Sequence, residues 1–399
     1  IRKKVGDTAW LRCESDVRNI DLKPLRLLGD TGSFSVKSHI RIDNKALRGK
    51  TMQGILMLDG TEIHRLGQDY RLACLRSEMN WNEAVSERSF QLRSGQLEAD
   101  MTGRWDLRDL KYSLLKTMRA CIPHFGAGLA ESVDFGEKGT YAQDFDLRVR
   151  LNDADSLMAV MYPSVSLPLG LKVNMRYASG LDRLRLKVDV PYVQWGSLAY
   201  MDGGLDMWAH NGMVELETGA ERLYLDDSVS MNHFLVRVEK EDTNTVAYGL
   251  SWGRDSVSRQ NTHGNFEGLL HFLPEGGMRL ELQDFGLQTG EFSWRSYPDG
   301  YVLIKPRFLS MHHVGMFTLG DSNGISLEGV VSHDPNSTLK MRFTHFDLSY
   351  LEFFLRKIPM KIDTWVDGTA ELRDLYGDFL FDARLRMKDL AINLTDKAR

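Results

Sequence analysis

The chain lacks any apolar run approaching the ~18 residues of a membrane-crossing helix. Cysteine is scarce: Cys13, Cys74 and Cys121 are the only three. Their wide spacing fits no zinc pattern, and an odd number leaves at least one thiol without an internal partner. A disulfide framework is therefore excluded, and buried thiols are expected. A basic excess is absent too, with 50 Lys and Arg against 55 Asp and Glu for a net charge of −5. The aromatics do not interleave with Lys/Arg clusters. A dedicated nucleic-acid binder would show both features. Disorder is excluded by composition, with 42% hydrophobic and 26% charged residues. No signal peptide is visible. The chain begins at Ile1, which reads as a piece of a longer protein, so the missing leader says nothing of location.

Catalytic and cofactor signatures are missing as well. There is no Gly-x-x-x-x-Gly-Lys phosphate loop, no His-Glu-x-x-His, no Cys-x-x-Cys and no Gly-x-Ser-x-Gly. Gly126-Ala-Gly128 is too short to count as a dinucleotide fingerprint. His312-His313 invites a metal, but adjacent strand residues face opposite ways and could share one ion only at a bulge. Asp321-Ser-Asn323-Gly324 with Glu328 lacks the ligand spacing of a calcium loop and reads as a turn. Carboxylates such as Asp226-Asp227 are scattered, and no acid/base pair stands out. The reading is a non-enzyme with no cofactor and no metal.

What the chain does have is period-2 alternation. Leu171-Lys-Val173-Asn-Met175-Arg-Tyr177 and Leu184-Arg-Leu186-Lys-Val188-Asp-Val190 are the cleanest cases. Leu147-Arg-Val149-Arg-Leu151, Met278-Arg-Leu280-Glu-Leu282, Leu339-Lys-Met341-Arg-Phe343 and Phe381-Asp-Ala383-Arg-Leu385-Arg-Met387 repeat the pattern. Each such strand has one apolar and one charged face. Asp59-Gly60, Asp202-Gly203, Asn211-Gly212, Asp299-Gly300, Asn323-Gly324 and Asp367-Gly368 supply hairpin turns. The density of these signals predicts a mainly β chain of about 30 strands in a long curled antiparallel sheet, with a few short helices.

Three helices are expected, each opening at an Asp and stopped by a Pro. They run from Asp106 to Ile122, from Asp155 to Tyr162 and from Asp347 to Ile358. The first carries Leu107, Leu110, Leu114, Met118 and Cys121 as its apolar stripe. A unit also recurs at constant offset: Gly268 to Pro274 matches Gly329 to Pro335, and Phe285-Gly-Leu287 then matches Phe346-Asp-Leu348. Fixed-offset repetition implies an elongated array of neighbouring units. Residues 1–399 are read as one continuous β-groove segment, with a possible sub-boundary near 126–140.

The apolar faces must meet something. They either pack on each other in a sandwich or barrel, or line an open groove for acyl chains. A groove of Leu, Val, Met and Phe suits lipid tails, because each CH₂ leaving water gains ~0.8 kcal/mol without directional groups. Met175, Met278, Met341 and Met387 lie on these faces, and thioethers adapt to irregular ligands.

One stretch carries a resemblance. Phe346-Asp-Leu-Ser-Tyr-Leu351 opens the helix that stops at Pro359; Trp365-Val-Asp-Gly-Thr-Ala-Glu-Leu-Arg-Asp-Leu-Tyr-Gly377 follows, and then the strand Phe379 to Leu385. This order resembles the TamB family of Gram-negative envelopes in its Bacteroidetes form, related to AsmA-like and bridge-like lipid-transfer proteins. Leu92-Arg-Ser-Gly-Gln-Leu-Glu-Ala-Asp-Met-Thr-Gly103 resembles the family's strand pattern more loosely. The resemblance implies a gutter-shaped sheet with an apolar concave side and a periplasmic location, anchored in the inner membrane by an N-terminal helix. It implies phospholipid carried toward the outer membrane, or a scaffold for outer-membrane protein assembly beside a barrel partner. The apolar sides of the matched strands carry over as groove-lining candidates: Leu339, Met341, Phe343, Leu385 and Met387. By pattern the set extends to Val173, Met175, Leu184, Leu186, Val188, Val190, Leu280 and Leu282. A saccharide-binding sandwich is the third reading. It needs clustered aromatics, whereas Trp195, Trp208, Trp252, Trp294 and Trp365 are spread along the chain.

Overall fold

The alternating segments form strands in the computed structural model, and every described ladder is antiparallel. The structure describes residues 2–5, 8–21, 34–47, 51–65, 68–71, 73–82, 85–125, 141–152, 154–155, 158–159, 162, 164–226, 229–253, 263–289, 292–297, 299–318, 323–347, 360–374 and 380–394. The chain is mainly β, with 25 described strands. It falls into two compact units. One holds Ile1–Cys121 with Phe135–Arg237; the other holds Ile122–Asp134 with Val238–Arg399.

The first unit begins β1 (Arg2–Val5), β2 (Thr8–Asp21), β3 (Phe34–Leu47), β4 (Thr51–Arg65), β5 (Gln68–Arg71), β6 (Leu75–Asn82), β7 (Glu87–Arg93) and β8 (Leu97–Arg104). Helix α1 (Leu107–Cys121) follows, then β9 (Asp144–Leu151), β10 (Val165–Ser166), β11 (Leu171–Ala178), β12 (Arg183–Trp195), β13 (Leu198–His210) and β14 (Met213–Asp226). Strand β15 (Val229–Asp242) runs through the division. The second unit holds β16 (Thr245–Trp252), β17 (His263–Phe272), β18 (Met278–Thr289), β19 (Phe292–Ser296) and β20 (Tyr301–Lys305). It continues with β21 (Phe308–Thr318), β22 (Gly324–Ser332), β23 (Thr338–Asp347), β24 (Met360–Arg373) and β25 (Leu380–Leu394).

The charged faces neutralise themselves across strands. Arg176 meets Asp146 at 3.2 Å, Arg150 meets Glu98 at 3.8 Å, and Arg185 pairs with Asp206. These pairs are about half exposed, so each contributes only ~0–1 kcal/mol, but they favour one register. On β3, His39 is held by Asp16 at 2.9 Å and Glu14 at 3.1 Å, both on β2. These hydrogen bonds, Asp16 first, raise its pKa above the usual 6.5. The bonds favour the imidazolium, so their stabilisation is complete below about pH 6.5 and is lost as pH rises through the raised value. An NMR titration should place His39 above 6.5, and Asp16→Asn with Glu14→Gln should bring it back. A wild-type value at or below 6.5 would contradict this arrangement.

The turn expectation needs correction. Asn211-Gly212 closes a two-residue hairpin, with φ of 51° and 78° and His210 opposite Met213. Asp59-Gly60, Asp202-Gly203 and Asp367-Gly368 instead lie inside β4, β13 and β24. Gly60, at φ 57°, marks a bulge where the β3–β4 register slips. At Gly60 the physical demand matches a hairpin's, since this bulge too uses a residue at positive φ.

Two of the expected helices fall partly or wholly outside the described residues. The stretch from Asp155 to Tyr162 keeps i→i−4 bonds, Met158 N–H to Ala154 O at 2.8 Å and Tyr162 N–H to Met158 O. Residues 348–359 and the 126–140 zone lie outside description. Helix α1 forms, with Asp106 accepting from the Arg108 N–H at 2.9 Å as its cap. Of its expected apolar stripe only Cys121 is fully buried, while Leu110, Leu114 and Met118 are half-buried. Ser113, Thr117 and Cys121 are the buried side chains, and Leu107 is 63% exposed. The small face lets the helix sit close to the sheet. There Thr117 Oγ1 meets the Tyr177 hydroxyl at 3.0 Å, and the Cys121 thiol donates to Met213 O at 3.5 Å. Cys121 is the buried thiol expected, but Cys13 and Cys74 are exposed.

Both copies of the recurring unit fall in the second unit, and each has a bulge in its second strand. Phe266 pairs with Phe285, but Gly268 pairs with Leu282, so β18 carries one extra residue. Phe343 pairs with Gly368, but Phe346 pairs with Val366, so β23 carries one too. Residues three apart on a strand would face opposite ways; each bulge turns both to one side. Leu282 with Phe285, and Phe343 with Phe346, thus join one core with Trp294, Val366 and Ala370. The hairpins differ in register: Gly268 faces Leu282, whereas Gly329 faces Leu339.

Candidate functional site

Register turns the separate alternations of the first unit into one surface. Across β8, β9, β11, β12, β13 and β14, one row reads Ala99, Val149, Val173, Val188, Leu205 and Thr218. The next reads Met101, Leu147, Met175, Leu186, Met207 and Leu216. A third reads Gly103, Phe145, Tyr177, Leu184, Ala209 and Val214. Five strand spacings of ~4.8 Å make each row about 24 Å long.

The three rows differ in cover. In the third, Phe145, Tyr177, Leu184, Ala209 and Val214 are all buried, beside the helix that Thr117 and Cys121 fasten to the sheet. Phe145 and Tyr177 pack edge to face at 5.7 Å. Burial pushes the Tyr177 phenol up to about 12 against the lowering effect of Thr117, so it stays a neutral hydrogen-bonding group. In the other rows Ala99 and Met101 are buried, but the side chains from Val149 and Leu147 onward keep part of their surface in solvent. A sandwich partner would have covered them as the helix covers Tyr177.

The candidates divide accordingly. Val173, Met175, Leu186 and Val188 share the part-exposed rows, and Val190 extends them opposite Gly203. Leu184 belongs to the buried margin. In the second unit Leu339 and Phe343 are buried, while Leu282, Met341 and Leu385 pack against the aromatic core. Leu280 is part-exposed opposite Val302, and Met387 is 45% exposed on β25.

Trp294 on β19 and Phe346 on β23 lie three strand spacings apart, about 14 Å if flat. Their ring centroids are 5.9 Å apart, so these side chains reach toward each other over the apolar face of the second unit and join one aromatic cluster. No periodicity argument anticipated this, because it depends on the two bulges.

No family model, no curated protein and no solved structure matches this chain.

The remaining chemistry is sparse. Among the described residues no group of three or more His, Cys, Asp or Glu is placed to hold a metal ion. The bulge that His312-His313 would need does exist, between Met311 and Val314, and brings the rings to 5.7 Å. Tyr301 and Tyr297 flank them at 5.0 and 6.3 Å, but no third ligand joins the pair. A cavity of about 440 Å³ lies at Glu87, Thr102, Arg104, Asp144 and Asp146 beside Phe145. Its Arg104 already leans on Asp144 at 3.8 Å. Of the aromatics a saccharide site would use, Trp252 and Trp294 are buried.

Proposed function

We propose that the first unit's apolar face carries lipid acyl chains, and that the chain acts as a non-enzymatic lipid conduit. The observation that supports this is the pair of part-exposed rows, one through Val173 and Val188 and one through Met175 and Leu186, beside a third row buried from Phe145 to Val214. The rows are longer than the ~15 Å of one bilayer leaflet's hydrocarbon, and lined by side chains without directional groups. Burying ten methylenes there would gain roughly 8 kcal/mol before ordering costs. The charged opposite face stays in water. In the frame of the TamB resemblance the cargo is phospholipid, moved through the periplasm between the two membranes.

Native mass spectrometry of the gently purified chain, with organic extraction, tests the reading. Phospholipid should co-purify with it. A lipid-free chain that also takes nothing from labelled vesicles would overturn the conduit.

A further inference from the structure

Two stretches of the first unit carry no Asp, Glu, Lys, Arg or His: the 16 residues between Asp155 and Lys172, and the 12 between Asp189 and Asp202. In a chain that is 26% charged, about four and three charges would be expected there. The fold brings them together at one end of the strands. Val165 pairs with Trp195 and Ser166 with Gln194, and the Gly196 N–H donates to Ser164 O at 3.1 Å. Gly196-Ser197 closes the β12–β13 hairpin between Trp195 and Leu198.

The side chains at this tip are large, apolar and in solvent. Trp195 is 67% exposed, Leu169 65%, Tyr162 56% and Leu198 38%. Their polar neighbours are satisfied internally. The Tyr192 hydroxyl donates to Gln194 Oε1 at 3.0 Å, and Gln194 Nε2 donates to Gly196 O at 3.0 Å. Ser166 Oγ donates to Asp155 Oδ1 at 2.9 Å. The opposite ends of the same strands are different, with Asp182 and Arg183 in the β11–β12 turn and helix α1 packed nearby.

We propose that this tip docks on a lipid bilayer, inserting Trp195 and Leu198 to the depth of the headgroup–acyl boundary. Trp and Tyr favour that layer because each has an apolar body and one polar atom. The two stretches themselves hold no charge, so the Trp195–Leu198 turn can leave water while Asp155, and Asp226 at the end of β14, stay at its margin. The binding is hydrophobic, so it does not depend on anionic lipid or low salt. It does not rest on the conduit reading.

The test is flotation of the full chain with phosphatidylcholine vesicles at 0.15 and 1 M salt. Wild type should float equally at both, and Trp195→Ser with Leu198→Ser should lower the bound fraction at least tenfold. Both side chains are exposed, so circular dichroism should be unchanged. Leu186→Asp should float as wild type, which separates this site from the acyl face. A second readout places a fluorophore on Ser197→Cys, with the exposed Cys13 and Cys74 changed to Ser. Nitroxide on the lipid chains near the headgroup should quench it. Absence of flotation, flotation abolished by salt, or unchanged flotation of the double variant would overturn the proposal. So would a dimer in sedimentation that the double variant dissolves, since the tip would then be a self-contact.

Discussion

Leu186→Asp should abolish lipid co-purification while leaving the protein folded. Leu186 sits mid-row between Met175 and Met207, with part of its side chain in solvent. In the lipid-free protein the new carboxylate reaches water, so folding loses little. Under acyl chains it has no partner, and a charge in hydrocarbon costs about 3 kcal/mol on insertion scales, over a hundredfold in occupancy. Lys187→Glu, one residue on and on the charged face, should bind lipid as wild type. The readout is extracted phospholipid per chain by mass spectrometry, with thermal unfolding as the fold control. Equal lipid content in Leu186→Asp would mean that the tails lie elsewhere.

The site was legible where alternation is strict. Leu184 to Val190 and Leu171 to Tyr177 have the apolar and charged sides that their period predicts, and register places Met175 opposite Leu186. What a period cannot say is what covers a face. Leu184 and Leu186 are equivalent in sequence, yet one lies in the buried margin and the other stays part-exposed. That margin rests on Thr117 and Tyr177, 60 residues apart, and the helix buries Ser113, Thr117 and Cys121 more fully than its leucines. Bulges were the second blind spot. Asp-Gly signals a positive φ, but a hairpin and the bulge at Gly60 both use that angle, so Asp59-Gly60 misled where Asn211-Gly212 did not. Phe343 and Phe346 share a face only because β23 gains a residue between them.

The same bulge sets the second large effect. Phe346→Ala should destabilise the second unit by roughly 3–5 kcal/mol, the usual range for a fully buried Phe. Its ring is fully buried, 5.9 Å from both Trp294 and Phe343, and Val366 opposite it is buried as completely. Truncation would leave a void among these rings. Met387→Ala, opposite Val366 on the other side but 45% exposed, should cost under about 0.5 kcal/mol. Hydrogen exchange should show protection falling in β19 to β24 and unchanged in β8 to β14. The consequence for function is a division of labour. Where aromatic side chains pack into a buried core on the apolar face there is no room for an acyl chain, so Phe343→Asp should act by unfolding and Leu186→Asp by blocking lipid. If Phe346→Ala proved no more costly than Met387→Ala, the aromatic cluster would be a loose lining rather than a core, and the acyl track would extend into the second unit.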